Sequence, residues 1–124
     1  MSRWVLLLVL TTAGPWGTKG AAAGPLLPLR VLYLGNAKSP RAADYEAFLK
    51  RHFRRVTVAE REGFDPAAAK DADVVLLDWS QRDTEVSKAK SPFGKLEGWY
   101  RPTVLLGSAG LLLAGQWQVI GGAG

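Results

Sequence analysis

The sequence predicts an α/β fold in which an open, mainly parallel sheet is flanked by helices. Short apolar runs alternate along the chain with helical segments, and each run ends at a glycine or a polar residue. The run DVVLLDWS is apolar at consecutive positions, which is typical of a parallel strand covered on both faces. The chain has 124 residues, of which 48% are apolar, and this suits one globular domain.

Four strands are predicted from these apolar runs. They occupy residues 29–36 (LRVLYLGN), 56–60, 74–77 and 103–106. We expect Val75 and Leu77 to be buried, because a central parallel strand is covered on both sides. The fourth run is equally apolar, and we expect it to form a central strand as well.

Two helices are predicted between the first three strands. Ser39 and Pro40 are typical of an N-cap and a first helical position, and Asp65 and Pro66 repeat that pattern before a short alanine run. The apolar positions expected to form the buried face of the first helix are Tyr45, Phe48, Leu49 and Phe53.

Charge argues against a nucleic-acid partner. The formal net charge is +5, and residues 1–23 hold two of the sixteen cations and no acid, so the remainder carries +3. Arg51, Arg54 and Arg55 are the densest basic group, and we expect them at a helix end where they complement the macrodipole. A basic stripe with interleaved aromatic residues, typical of nucleic-acid binding, is missing from the sequence.

The first 23 residues read as an export signal. Arg3 precedes the apolar segment WVLLLVL, which is too short to span a bilayer, and three alanines at 21–23 form a small-residue cleavage site. We therefore predict a signal peptide over 1–23, a short linker over 24–28 and one domain over 29–124, in a periplasmic or secreted protein.

Cysteine and histidine usage limits the chemistry. The sequence has no cysteine, so disulfides and thiol nucleophiles are excluded, and no cofactor is predicted. His52 is the only histidine, and we expect it to be half-buried at the end of a helix. No metal site is predicted, because ligands at matching spacing are missing.

Residues 81–101 connect the third and fourth strands. The segment is polar and charged but contains Phe93, Trp99 and Tyr100. One helical turn is predicted near 84–90 and a turn at SPFG. A solvated linker is the default expectation for such a connection, although long connections of this kind often carry function.

The stretch RPTVLLGSAGLLLAGQW admits three interpretations. Residues 102–124 carry no charge and are long enough for a membrane helix, but six glycines and two glutamines argue against a stable span. Ser108 could serve as a hydrolase nucleophile on an elbow, but Leu106 stands where that turn needs a small residue. The favoured interpretation is a strand, a tight turn and a buried helix that begins near Ala109.

Four segments of the chain carry a resemblance to a known family: RVLYLGN, the first helix, DADVVLLDWS and RPTVLLGSAGLLLAG. Together they resemble the class I glutamine amidotransferase-like superfamily of flavodoxin-like fold, in particular its trehalose-utilisation (ThuA-like) branch. The resemblance covers about residues 29–124 and rests on pattern. Active members carry a cysteine on the elbow, where this sequence has Ser108, and a downstream His and Glu. The resemblance therefore implies a domain without amidotransferase activity and shorter at its C-terminus than the family's domain.

A second resemblance is to response-regulator receivers. DVVLLDWS resembles the strand that ends in the phosphoacceptor aspartate, which would be Asp78, and PTVLLGSA resembles the strand that ends in the switch hydroxyl. Phosphotransfer needs an acidic pair after the first strand to hold Mg²⁺, and this sequence has Gly35 and Asn36 there.

The functional hypothesis is an exported, non-catalytic domain that binds a small molecule, carbohydrate or protein. In open sheets, ligands bind outside the carboxyl ends of the strands. Trp79 could stack on a sugar there or cover the core. The residues predicted around this crevice are Gly35, Asn36, Asp78, Trp79, Ser80, Gly107 and Ser108.

We expect export to remove the first 23 residues. The short apolar segment followed by small residues predicts a mature chain that begins at or near Gly24. N-terminal sequencing of protein recovered from the periplasm or the medium checks this. Recovery of the chain only from the cytosol, with Met1 intact, would contradict it.

Overall fold

The computed structural model of the chain describes residues 24–81 and 88–118. The predicted signal peptide and much of the helical turn predicted near 84–90 lie outside these ranges. The described residues form one parallel sheet of four strands, in the order β2-β1-β3-β4, with two α-helices. The elements are β1 (Leu27–Gly35), α1 (Pro40–Lys50), β2 (Phe53–Glu60), β3 (Val74–Trp79), β4 (Thr103–Gly107) and α2 (Ala109–Gln116).

The sheet has helical or irregular structure on both faces, and this confirms the predicted open α/β architecture. On one face Leu34, Val75 and Leu77 pack with α2 and with the segment before β4. On the other face Val31 and Tyr33 pack with α1. Val75 and Leu77 are fully buried, as expected for a central strand.

Both predicted helix starts are confirmed. The Ser39 hydroxyl accepts the Ala42 amide at 3.1 Å, and Pro40 opens α1. The Asp65 carboxylate accepts the Ala67 amide at 3.0 Å and caps Pro66–Ala69, which is a 3-10 helix of one turn. Ser39 and Asp65 therefore act as the sequence predicts.

The predicted apolar face of α1 is wrong at two positions. Phe48 is half exposed, and Phe53 belongs to β2, because the helix ends at Lys50. Tyr45 and Leu49 face the sheet as predicted, and Ala42 joins them. Residues 42, 45 and 49 follow the helical spacing i, i+3, i+7. The same early helix end places Arg54 and Arg55 on β2, so only Arg51 lies at the helix end.

The predicted central position of the fourth strand is also wrong within the described part of the chain. β4 pairs with β3 on one side only, and Val104 and Leu105 remain 46% and 41% exposed. An apolar run predicts burial, but burial of an edge strand depends on what covers it. Here α1 lies mainly over β1 and β2.

The segment that leads into β4 is part of the core, which corrects the expectation of a solvated linker. Phe93 and Trp99 are buried, and their rings stack with centroids 3.9 Å apart. The Trp99 indole donates to the Thr103 hydroxyl at 2.8 Å. Of the three aromatic residues in this connection, only Tyr100 is exposed.

No helix in the described ranges is long and apolar enough to cross a bilayer. The residues from Ala109 onwards form an eight-residue helix that directly follows β4, as predicted. Leu112 and Leu113 bury this helix against the sheet.

Gly107 and Gly110 provide a matched test of the turn between β4 and α2. Gly107 has φ +63°, and a Cβ there would lie 1.9 Å from the Trp79 carbonyl oxygen, whereas a Cβ at Gly110 meets nothing within 4 Å. We expect Gly107→Ala to lower the free energy of unfolding by at least about 2 kcal/mol. Gly110→Ala should leave it unchanged or raise it by up to about 1 kcal/mol. Urea unfolding measures both, and equal effects would contradict the described turn.

Candidate functional site

The carboxyl ends of three strands lie side by side at one edge of the sheet. Leu34 pairs with Leu77 and Trp79 pairs with Gly107, so the residues that follow β1, β3 and β4 meet there. Along the chain, β2 is added on one side of β1, and β3 and β4 are added on the other side. The direction in which the sheet grows therefore reverses at β1. Such a switch point is where open α/β sheets form their ligand crevices. The structure thus brings the predicted crevice residues together at one edge.

Asp78, at the carboxyl end of β3, accepts hydrogen bonds from two other elements and is buried rather than open to the crevice. The Tyr33 hydroxyl donates to Asp78 Oδ2 at 2.5 Å. Arg41 binds the same carboxylate in a fork, with Nε 2.7 Å from Oδ2 and Nη2 2.8 Å from Oδ1. The Asp78 residue is 2% exposed, so its charge is neutralised by partners rather than by water.

The three groups come from three different elements. Tyr33 lies on β1 and Asp78 on β3, and both point to the face covered by α1. Arg41 is the second residue of α1, which Ser39 and Pro40 start at this place. The Arg41 guanidinium also lies over the Tyr45 ring, 5.2 Å from its centroid. The cluster therefore ties the first turn of α1 to the two central strands.

Burial and the hydrogen bond to Asp78 raise the pKa of the Tyr33 hydroxyl well above its ordinary value. Hydrogen bonding to Asp78 likewise raises the pKa of the Arg41 guanidinium. Both groups therefore keep their protons throughout the physiological range. The cluster is a fixed arrangement of one anion, one cation and one neutral hydroxyl.

Asp78 in this arrangement does not have the surroundings of a phosphoacceptor. Both carboxylate oxygens accept hydrogen bonds, and no group of three or more metal-ligating side chains occurs among the described residues. A phosphoacceptor carboxylate must instead meet a phosphoryl donor and Mg²⁺. The geometry gives Asp78 a structural role.

Trp79 covers the core, which is one of its two predicted roles, and it also lines a cleft described below. Its ring is 5% exposed and packs with the core cluster on the α2 face of the sheet. The Arg61 guanidinium lies 4.0 Å from the ring centroid and covers it, a cation–π contact. Arg61 also donates its backbone amide to the Gly35 carbonyl at 2.9 Å and Nη1 to the Asp78 carbonyl at 3.3 Å.

Ser108 uses its hydroxyl to connect the ends of β3 and β4. Its Oγ donates to the Ser80 carbonyl at 3.0 Å, and its amide donates to the Trp79 carbonyl at 2.8 Å. Ser108 occupies the N-cap position of α2, but its side chain makes no capping hydrogen bond. Gly107 makes the close approach possible through its positive φ.

No base is positioned to activate Ser108 within the described residues. His52 immediately precedes β2 and lies at the amino-terminal edge of the sheet, whereas Ser108 follows β4 at the carboxyl-terminal edge. Nucleophilic attack by a serine needs a base within hydrogen-bond reach. Among the described residues, the hydrogen-bond partners of the Ser108 hydroxyl are backbone carbonyls, those of Trp79 and Ser80.

The remaining predicted residues form the rim. Asn36 is exposed, Ser80 is half-buried, and Gly35 is buried against the Tyr33 ring. Glu60, at the end of β2, accepts the Ala37 amide at 3.0 Å and so holds the loop that follows β1. Asn36 supplies the exposed amide side chain of this edge.

An open cleft of about 340 Å³ adjoins Trp79. Its lining includes two cations, a carboxylate, an aromatic ring and a hydroxyl, supplied by Arg61, Lys90, Glu62, Phe64 and Ser91. A larger hollow of about 530 Å³ shares Lys90 and Ser91 with this cleft but extends to Trp117 at the carboxyl end of α2, and no residue of β1, β3 or β4 lines it. The cleft beside Trp79 is therefore the one that belongs to the strand ends.

Four residues of the site were not predicted from the sequence: Tyr33, Arg41, Glu60 and Arg61. One signal was present for Arg41. The first turn of a helix favours acidic side chains, so a basic residue there is out of place unless an anion faces it. The anion is Asp78.

Comparisons of the chain with models of protein families, with curated proteins and with solved structures find no match. The fold and the site define an open parallel α/β protein whose switch point holds a buried aspartate, Asp78, bound by a buried tyrosine and a partly exposed arginine. The strand order β2-β1-β3-β4 equals the first four strands of the flavodoxin order.

Two tyrosines test the cluster. Tyr33→Phe removes a hydrogen bond to a buried carboxylate and should lower the free energy of unfolding by about 1.5–3 kcal/mol. Tyr45 stacks on Tyr33, and its hydroxyl makes no hydrogen bond within the described residues, so Tyr45→Phe should change stability by less than about 0.5 kcal/mol. Denaturant midpoints measure both, and equal losses would contradict the cluster.

Alkaline pH gives a second test of Tyr33. Its folded-state pKa is raised, so the stability it contributes is complete below the ordinary tyrosine pKa of about 10 and is lost as pH rises above that value. Wild-type stability should therefore fall above about pH 10, and Tyr33→Phe should fall less steeply. Parallel curves for the two proteins would contradict the raised pKa.

Proposed function

We propose that this chain is an exported, non-catalytic α/β binding domain, related in build to the flavodoxin-like, class I glutamine amidotransferase-like proteins. Its ligand is a small polar molecule, and a sugar is the first candidate. The ligand binds at the carboxyl ends of the strands, in the cleft between the end of β3 and residues 88–92. The parallel strand order supports the relationship in build.

One observation carries the proposal. The two candidate reactive groups both hydrogen-bond to other parts of the protein. Asp78 accepts from Tyr33 and Arg41, and the Ser108 hydroxyl donates to the Ser80 carbonyl. The cleft beside them stays open and is lined by side chains that can donate hydrogen bonds. An edge with fixed polar groups and an open, polar cleft is suited to binding rather than to covalent chemistry.

The lining favours a ligand rich in oxygen atoms. Arg61 and Lys90 donate hydrogen bonds and carry positive charge, and Ser91 adds a hydroxyl. Phe64 provides an apolar wall for the ring of a sugar. The volume of about 340 Å³ lies at the lower end of the range for small-molecule pockets.

Nuclear magnetic resonance tests where a sugar binds. Titration of the labelled protein with trehalose, glucose and other mono- and disaccharides should give saturable shifts at the amides of Arg61, Ser80 and Ser91. Amides at the amino-terminal ends of the strands, such as Leu29, should not shift. Saturable binding by none of these sugars, or shifts centred elsewhere, would contradict the proposed ligand class and site.

Two arginines on β2 and its following turn provide the matched control. Arg61→Gln should weaken binding about tenfold or more, because it removes a charged donor from the cleft. Arg55→Gln removes the same charge from the opposite end of β2 and should leave binding unchanged. A fluorophosphonate serine probe checks the non-catalytic claim, and labelling that Ser108→Ala abolishes would overturn it.

A further inference from the structure

The amino-terminal end of β1 and the carboxyl end of α1 share a surface that the proposed function does not use. Four apolar side chains are between 40% and 51% exposed there. Two arginines lie beside them. This surface, called the amino-end patch below, comprises Leu26, Leu27, Leu29, Phe48, Arg51 and Arg54.

Hydrogen-bond and ring contacts connect the start of β1 to the end of α1. The Leu27 amide donates to the His52 carbonyl at 2.8 Å, which joins the start of β1 to the turn after α1. The His52 ring lies 4.8 Å from the Phe48 ring, and the Arg51 guanidinium lies 5.7 Å from the centroid of that same ring. The apolar and basic side chains are therefore close to one another and form one continuous surface patch.

Arg54 lies on the same side of the sheet as α1. Residues 54, 56 and 58 of β2 share a face, and Val56 and Val58 pack in the cluster beneath α1. Arg54 therefore extends the patch along β2. Arg55 points to the opposite face, where it lines a separate hollow with Asp71.

The local charge is positive. No acidic residue occurs between Glu46 and Glu60, a stretch that holds Lys50, Arg51, Arg54 and Arg55. Lys50 is paired with Glu46 at 2.5 Å, and Asp44 is the other acid on this part of α1. If export leaves Gly24 as the first residue, the terminal amino group adds a cation three residues before Leu27.

We propose that the amino-end patch docks on an anionic lipid surface. Exposed leucine and phenylalanine side chains suit the interface between headgroups and acyl chains, and arginines beside them attract anionic headgroups. A nucleic acid would use the arginines but leave the leucines exposed to water. The combination therefore favours a membrane surface, and the crevice at the other end of the sheet stays open to its ligand.

The absence of cysteine allows a site-specific test in the full chain. Ala47→Cys, four residues before Arg51 on α1, accepts a polarity-sensitive fluorophore beside the patch. Ala114→Cys, at an exposed position of α2, accepts the same label and serves as the control. This design reports contact at the patch even when residues 1–23 are present and bind the vesicles themselves.

Vesicles of phosphatidylcholine mixed with phosphatidylglycerol should shift the emission of the label at 47 to the blue. Pure phosphatidylcholine vesicles should not, and raised salt should weaken the response. The label at 114 should not respond. No shift at 47, or equal shifts at both positions, would overturn the proposal. A shift at 47 of the same size with duplex DNA or polyglutamate would also overturn it.

Charge and apolar variants separate the two contributions. Arg51→Gln and Arg54→Gln should each weaken binding to the anionic vesicles about fivefold, whereas Lys95→Gln, which removes an exposed charge away from the patch, should not. Phe48→Gln should weaken binding, and Leu111→Gln, which alters an exposed leucine on α2, should not. Vesicle binding that is insensitive to the patch variants, or equally sensitive to both sets, would contradict the assignment.

Discussion

A buried carboxylate at the switch point of the sheet constrains the rest of this structure. Asp78 lies where β3 ends, and a charge in that position needs partners because water does not reach it. Tyr33 from β1 and Arg41 from α1 provide them. The two central strands and the first helix are thereby fixed to one another at the edge where an open α/β sheet forms its crevice.

This arrangement supports the proposed binding role of the crevice. Asp78 and Ser108 lie at the strand ends, and their hydrogen bonds connect elements of the scaffold. Arg61 covers Trp79, bonds to the backbone of both β1 and β3, and also lines the adjoining cleft. Recognition is left to the rim and to that cleft. The amino-end patch lies at the other end of β1, so the proposed ligand and the proposed membrane contact need not compete.

Local sequence patterns predicted the elements well, because capping and periodicity act over a few residues. Ser39, Asp65 and the apolar run of β3 behave as predicted. Features that depend on distant residues were not predictable. The exposure of β4 depends on which element lies beside it, and the partners of Asp78 are 45 and 37 residues away in the chain. The serine at 108 likewise bonds to a carbonyl 28 residues away rather than to its own helix.

The central claim is that Asp78 is a structural anion held by Arg41. A double-mutant cycle with Arg41→Met and Asp78→Asn tests it most directly, because the amide keeps an acceptor for Tyr33 while it removes the charge. Urea unfolding of the four proteins gives the coupling free energy. We predict a coupling of about 1–3 kcal/mol, with Arg41→Met costing much less in the Asp78→Asn background. Additive losses, with a coupling indistinguishable from zero, would contradict the claim.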